Sequence, residues 1–166
     1  MIRVVHFRKA ILGGAAGAAV WEFVVRLLIL AGLPLPDIVC LLGTMAFPNS
    51  SPLLWWPMGM TIHASVGAIW AIFYAYFFWS VFDWPPQVQG LVFSLLPATL
   101  ALLIMLPQIV LMHPLLLGGG SLPALPQGWT KPLGVFAAHL IYGAVMGSLY
   151  THPVGARVAL RKVAHG

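Results

Sequence analysis

Two histidines stand in long apolar stretches of this sequence, and each is followed four residues later by a glycine: His63 by Gly67 and His139 by Gly143. On a helix, residues four apart share one face, so each imidazole would have open space beside it. Neutral imidazoles are axial ligands of haem iron, and a missing side chain makes room for the macrocycle. One interpretation is therefore a bis-histidine haem b site between His63 and His139.

The alternative interpretation of these residues is helix packing. The segments Gly143-x-x-x-Gly147 and Gly67-x-x-x-Ala71 have the spacing of small residues that lets two membrane helices approach closely. Each histidine would then form hydrogen bonds between helices. The spacing leaves both interpretations open.

Glu22 and Arg26 are the other ionisable residues inside an apolar stretch. They stand at positions i and i+4 with the acid first, so we expect them to neutralise each other inside the bundle. Because Arg26 lies at the predicted depth of the histidines, it could instead hold a haem propionate or an anionic lipid headgroup. Glu22 could relay protons toward Tyr74 and Tyr150, for which packing is the alternative role.

The composition of the 166 residues excludes an ordinary soluble domain. Of these residues 61% are hydrophobic and 7% charged, whereas soluble domains have about 25% charged residues. Most of the surface must therefore face lipid. The eight Lys and Arg residues lie mainly near the termini, which fits membrane topology and not a nucleic-acid partner. The single cysteine, Cys40, excludes an intrachain disulfide framework.

Four apolar segments are long enough to cross a bilayer, which takes about 20 helical residues. Pro34 and Pro36 are expected to end the first segment, and Pro97 and Pro107 to bend the third. The predicted spans run from about Ala10 to Leu33, Leu53 to Phe82, Val88 to Met112 and Leu133 to Tyr150. The sequence therefore predicts an all-α membrane protein with a single domain, residues 1–166.

Basic residues beside the spans predict the orientation. Four spans put both termini on one side, where six Lys or Arg residues compare with only Lys131 on the other side. By the positive-inside rule both termini are cytoplasmic, and we expect a prokaryotic inner membrane. The connections 34–52 and 113–132 would then lie outside, at the interface or folded back over the bundle, because they are apolar but too short to span. The terminal basic residues are Arg3, Arg8, Lys9, Arg157, Arg161 and Lys162.

An internal repeat relates the two halves of the chain. The residues that coincide in one register are Gly14 and Gly90, His63 and His139, Gly67 and Gly143, and Tyr74 and Tyr150. We interpret this as a duplicated unit of helix, outer segment and helix, covering about residues 10–82 and 86–151. Because each unit contains two spans, the copies would be parallel and related by an axis along the membrane normal.

Three segments carry a family resemblance: 35–43 after the first span, 114–120 after the third, and 139–150 in the last. Together they resemble a family of small four-helix prokaryotic integral membrane proteins of unknown function, and the last segment is the most specific. The second span departs from this pattern toward Trp and Phe. The resemblance implies a fold and a membrane location, and it implies no reaction.

The function predicted from the sequence is that of a non-catalytic membrane subunit. The spans leave almost no mass outside the membrane for an active site, and we find no nucleotide-binding, zinc-protease or hydrolase motif. We therefore expect a subunit of a larger electron-transfer or respiratory assembly, with lipid and other membrane subunits as partners and haem b as the candidate cofactor. The alternatives are a stand-alone haem b electron carrier and a small proton-coupled transporter that uses Glu22 and Arg26.

Overall fold

The computed structural model describes residues 5–79, 81–118 and 128–150, and the regular structure within these residues is helical. Two π-helical turns lie among the α-helices. One is Tyr74–Phe78 and the other is Ala101–Met105. Four basic residues used to predict the orientation, Arg3, Arg157, Arg161 and Lys162, lie outside the described residues. In chain order the helices are α1 (Phe7–Leu30), α2 (Ile38–Ala46), α3 (Pro52–Phe73), α4 (Pro86–Leu100), α5 (Leu106–Met112), α6 (Pro114–Leu117) and α7 (Thr130–Leu149).

Four helical stretches are long and apolar enough to cross a membrane, which confirms the predicted multi-pass, all-helical class. The candidate spans are Phe7–Leu30, Pro52–Phe78, Pro86–Met112 and Pro132–Leu149. We refer to Pro86–Met112 as the third span. Large apolar side chains such as Phe23, Ile69 and Leu103 are exposed on these helices, as expected of surfaces that face lipid.

The first span ends earlier than the prolines predicted, because Gly32 ends it. Gly32 has a φ of +89°, a left-handed conformation that glycine adopts without steric cost. Its N–H donates to the Ile29 carbonyl, and the Leu33 N–H donates to the Leu28 carbonyl at 3.0 Å. This pair of hydrogen bonds is a Schellman motif, which satisfies the last carbonyls of α1 before Pro34 is reached.

The third span changes helix type between its two prolines. Pro97 lies inside α4, and Pro107 stands in the first turn of α5, directly after the π-helical turn Ala101–Met105. A proline has no N–H to donate to the carbonyl four residues earlier, which here belongs to Leu103. A π-helical turn lets the span continue past that missing hydrogen bond.

The helices pack in the order α3, α1, α7, α4, with α1 against both α3 and α7. Two glycine pairs make close backbone approaches between spans. A Cβ at Gly14 would overlap the backbone of Gly67, and a Cβ at Gly90 would overlap the backbone of Gly143. Helix α3 and the third span therefore stand at the two ends of this series.

Helix α2 folds back onto α3 and does not lie apart from the bundle. Gly43 of α2 lies against the Trp55 carbonyl, and Gly59 of α3 lies against the Val39 carbonyl. Val39 and Leu41 of α2 are buried, with 0% and 1% of their surface exposed. We call the end of the bundle that α2 covers the α2 side.

Candidate functional site

A cavity of about 260 Å³ lies between the spans, beside α2. Its walls come from α1, α2, α3, the third span and α7. The third span contributes aliphatic side chains and Pro97, and the polar or aromatic lining residues are Trp21, His63, Trp70, His139 and Tyr142. The cavity is therefore an apolar site with a few hydrogen-bonding groups, which is the usual character of a small-molecule site.

His63 and His139 both line this cavity, and the indole of Trp21 contacts both imidazoles. The Trp21 ring centroid lies 4.5 Å from that of His63 and 4.4 Å from that of His139. His63 comes from α3 and His139 from α7, so α1 supplies the ring that both of them contact. The structure thus brings the two predicted histidines to one place, together with a residue that the sequence reasoning missed.

His139 is held in one tautomer by its own helix. Its Nδ1 lies 2.8 Å from the Val135 carbonyl oxygen. A carbonyl oxygen only accepts hydrogen bonds, so Nδ1 must carry the proton. In the neutral imidazole Nε2 is then the acceptor, and it is the nitrogen free to bind a hydroxyl or a metal ion.

His63 has no such fixed partner. The residue is 5% exposed, and its Nδ1 is buried with no hydrogen-bond partner among the residues that the structure describes. A buried polar atom without a hydrogen-bond partner is costly, which makes this nitrogen a candidate ligand-binding group.

Tyr142 is a cavity residue that the sequence reasoning also missed. Its hydroxyl donates to the Gly67 carbonyl oxygen at 2.6 Å and so ties α7 to α3. Tyr142 stands three residues after His139, on the same helical face. That spacing was visible in the sequence and could have identified it.

Gly67 and Gly143 pack on equivalent glycines, but they differ in their relation to the cavity. Gly67 lines the cavity and also packs on Gly14. Gly143 lies against Gly90, where a Cβ would also meet the Ser94 side chain at 2.6 Å. The space beside Gly143 is therefore filled by α4.

Arg26 is held by two carboxylates. Its Nη2 lies 2.9 Å from Oε1 of Glu22 and 2.9 Å from Oδ1 of Asp37, and its Nη1 lies 2.7 Å from Oδ2 of Asp37. The pairing with Glu22 follows the prediction, whereas Asp37 as a partner was not foreseen. Because Asp37 belongs to a predicted connection, nothing in the linear spacing placed it beside Arg26. These contacts leave Arg26 engaged within the chain and not on the cavity wall.

Asp37 has a second role as the N-cap of α2. Its Oδ1 accepts from the Cys40 N–H at 2.9 Å, which satisfies one of the unpaired donors at the start of that helix. Burial, together with the nearby Asp37 charge, raises the pKa of the Cys40 thiol. Cys40 is therefore a structural thiol and not a reactive one.

Glu22 has a free oxygen inside the protein. The residue is 4% exposed, and its Oε2 is buried with no hydrogen-bond partner among the described residues. In the proton-relay hypothesis, Glu22 passes protons toward Tyr74 and Tyr150. These two tyrosines are 0% and 2% exposed. Their ring centroids are 5.9 Å apart in an edge-to-face arrangement, and Tyr150 also accepts from the His6 backbone N–H at 3.3 Å.

His113 is fully engaged in holding α6 against α2. Its Nδ1 accepts from the Leu115 N–H at 3.3 Å, so Nε2 carries the proton. That Nε2 lies 3.2 Å from the Leu41 carbonyl and 3.2 Å from Thr44 Oγ1. His113 therefore has no nitrogen left for chemistry.

In the part of the chain that the structure describes, no group of three or more His, Cys, Asp or Glu is placed to hold a metal ion. A two-histidine site suits a metal that brings its other ligands with it, as haem iron does.

Comparison of the chain with protein-family models, with curated proteins and with solved structures gives no match. The class of protein therefore has to be read from the spans and the cavity described above. It is an all-helical, multi-pass membrane protein with a histidine-lined cavity between its spans. The resemblance to small four-helix membrane proteins stays a prediction.

Proposed function

We propose that this protein is a non-catalytic integral membrane subunit of a larger electron-transfer assembly. Its proposed ligand site is the cavity lined by His63 and His139, which we call the histidine cavity. The observation that carries the proposal is the meeting of His63 and His139 with Trp21 at one apolar cavity. Imidazoles kept in an apolar setting are costly unless a ligand or partner uses them. The lipid bilayer and neighbouring membrane subunits are the proposed partners.

The proposed setting is a prokaryotic inner membrane, with both termini in the cytoplasm and α2 near the outer face. The chain would consist of two parallel repeats. Two observations support the repeats: Gly14 meets Gly67 as Gly90 meets Gly143, and Asp37 and His113 each cap the short helix that follows a span.

Extraction of native membranes in a mild detergent tests the subunit proposal. We expect the protein to migrate in a complex larger than its 17.9 kDa chain, with reproducible co-purifying chains identified by mass spectrometry. A monodisperse monomer without partners would overturn the proposal.

The orientation is tested with single cysteines in a Cys40→Ala background. Ser51→Cys lies at the start of α3 on the α2 side, and Asp83→Cys lies in the turn before α4 at the opposite end. A membrane-impermeant maleimide added to intact cells should label Ser51→Cys alone, and both after lysis. The reverse pattern would place the termini outside.

The second candidate function is a stand-alone haem b carrier. The fixed His139 tautomer favours it, because the Nδ1 bond to Val135 leaves Nε2 unprotonated as a ligand requires. Trp21, in contact with both imidazoles, would share the space of a macrocycle held between them. A reduced-minus-oxidised spectrum decides the matter, since haem bands must be present in the purified protein and absent from the His63→Ala, His139→Ala double variant.

A further inference from the structure

We propose that the histidine cavity binds the ring of an isoprenoid quinol, a membrane-soluble dihydroxybenzene with an apolar tail. The inference rests on the proposed function, because it names the ligand class of the same site. The size of the cavity, its hydrogen-bonding groups and a second cavity beside it carry the argument.

The size of the cavity suits a single ring. Its volume is about 260 Å³, and an apolar cavity of about 150 Å³ is enough to bind benzene. A substituted six-membered ring therefore fits, whereas a haem has four pyrrole rings and their substituents. Trp21 and Trp70 in the wall can stack against such a ring.

The polar groups of the cavity suit a ligand with hydroxyl groups. The His139 tautomer leaves Nε2 as an acceptor, and a quinol hydroxyl is a donor. His63 has a buried Nδ1 without a partner among the described residues, so its imidazole also lacks part of its hydrogen bonding. A plain acyl chain would satisfy neither histidine, and burying polar groups without partners is unfavourable.

A second cavity supplies a path for the tail. It has a volume of about 310 Å³ and lies between α3 with its π-helical turn and α4. Its lining is aromatic or aliphatic throughout and includes Phe73, Phe77 and Phe93. Trp70 lines both cavities, so the two are neighbours, and we place the ring in the first and the tail in the second. An isoprenoid tail finds only apolar contacts there.

The experiment is a binding titration of the purified full-length protein in detergent. The probes are a decyl-substituted benzoquinol and its dimethyl ether, which has the same ring and tail but no donor. We expect saturable binding of the quinol with a stoichiometry near one to one. The ether should bind roughly three- to tenfold more weakly, the value of one hydrogen bond. Equal affinity would overturn recognition of the hydroxyl and leave a cavity for hydrocarbon only.

Matched variants locate the site. Ala101→Trp fills the cavity from the third span, while Leu103→Trp introduces the same side chain at a position that is 72% exposed. Quinol binding should fall by at least about tenfold in the first, since the ring cannot share its space, and stay within about twofold in the second. Unchanged binding in Ala101→Trp would overturn the site. The comparison of quinol and ether uses the unmodified protein, so it decides the proposal even where a variant does not fold.

The outcomes separate this inference from the proposed function. Co-purifying subunits without saturable quinol binding would overturn the quinol site and leave the subunit role standing. Quinol binding by a monomer without co-purifying chains would support the quinol site and overturn the subunit role. Haem bands that vanish when both His63 and His139 are replaced would overturn the quinol site.

Discussion

Arg26 and Asp37 form a bidentate ion pair that joins the last part of α1 to the N-cap residue of α2. The two nitrogen-to-oxygen distances are 2.7 Å and 2.9 Å, the geometry in which a guanidinium binds a carboxylate most strongly. Arg26 lies within a candidate span, so the pair also neutralises a charge that lipid would not tolerate.

Removing that pair should destabilise the protein. In Asp37→Asn, Arg26 keeps only Glu22 as a charged partner, and the amide accepts less well from the Cys40 N–H. We expect a loss of about 1 to 3 kcal/mol in the free energy of unfolding, less than for a fully buried pair, because the Arg26 side chain is 31% exposed. Thermal unfolding in detergent measures it. Asp83→Asn, at an exposed turn position, is the control and should leave the unfolding temperature unchanged.

Two neighbouring glycines should respond in opposite ways to alanine. A Cβ at Gly14 would overlap Gly67, Ala68 and Ala71, whereas a Cβ at Gly13 would meet its nearest atoms at 3.5 Å. Gly14→Ala should therefore cost about 1 to 3 kcal/mol. Gly13→Ala should be neutral or stabilise by up to about 1 kcal/mol through helix propensity.

The same unfolding measurement compares Gly13→Ala and Gly14→Ala with Gly90→Ala, which meets Gly143. We expect Gly90→Ala to behave like Gly14→Ala. Equal stability of all three variants would contradict the close backbone approach.

The Tyr142 hydroxyl should contribute to stability by joining α7 to α3. Tyr142→Phe removes its donation to the Gly67 carbonyl, and we expect a cost of about 1 kcal/mol. The unmodified protein is the reference. If Tyr142→Phe unfolds at the same temperature as the unmodified protein, the hydroxyl does not hold the two helices together.

Cys40 should react slowly with thiol reagents at neutral pH. Its raised pKa means that the thiolate, the reactive form, appears only at a higher pH than in an ordinary cysteine. Burial also slows access, since Cys40 is 7% exposed. Maleimide labelling of the wild type should therefore lag behind Cys40→Ala, Ser51→Cys at pH 7. The lag should shrink as the pH is raised further, and equal rates at neutral pH would show that Cys40 is accessible.

The spans could be predicted from the sequence because bilayer thickness fixes their length and because they are apolar over that length. Their ends were harder. Pro34 was expected to end the first span, but Gly32 ends it first with two backbone hydrogen bonds. The π-helical turns were not predicted, since hydropathy does not distinguish a π-helical turn from an α-helical one.

The candidate site was predicted only in part. His63 and His139 were identified because polar residues in apolar stretches stand out, and the parallel repeat predicted that they lie at the same depth. Trp21 was missed because an aromatic residue in a membrane helix is ordinary, and only the packing of α1 against both α3 and α7 shows its position. Asp37 was missed as a partner of Arg26 because the chain reverses between them, and the reversal is a tertiary feature.

The double role of Asp37 ties α1 to α2. Its carboxylate caps the first turn of α2 and pairs with Arg26 of α1, so a shift of Asp37 would disturb both contacts at once. Helix α3 is in turn fixed to α2 by the Gly43 and Gly59 contacts. The third span, whose π-helical turn lines the cavity, is attached separately, through Gly90 against Gly143 of α7, so a change in that wall would not need to break the Asp37 contacts.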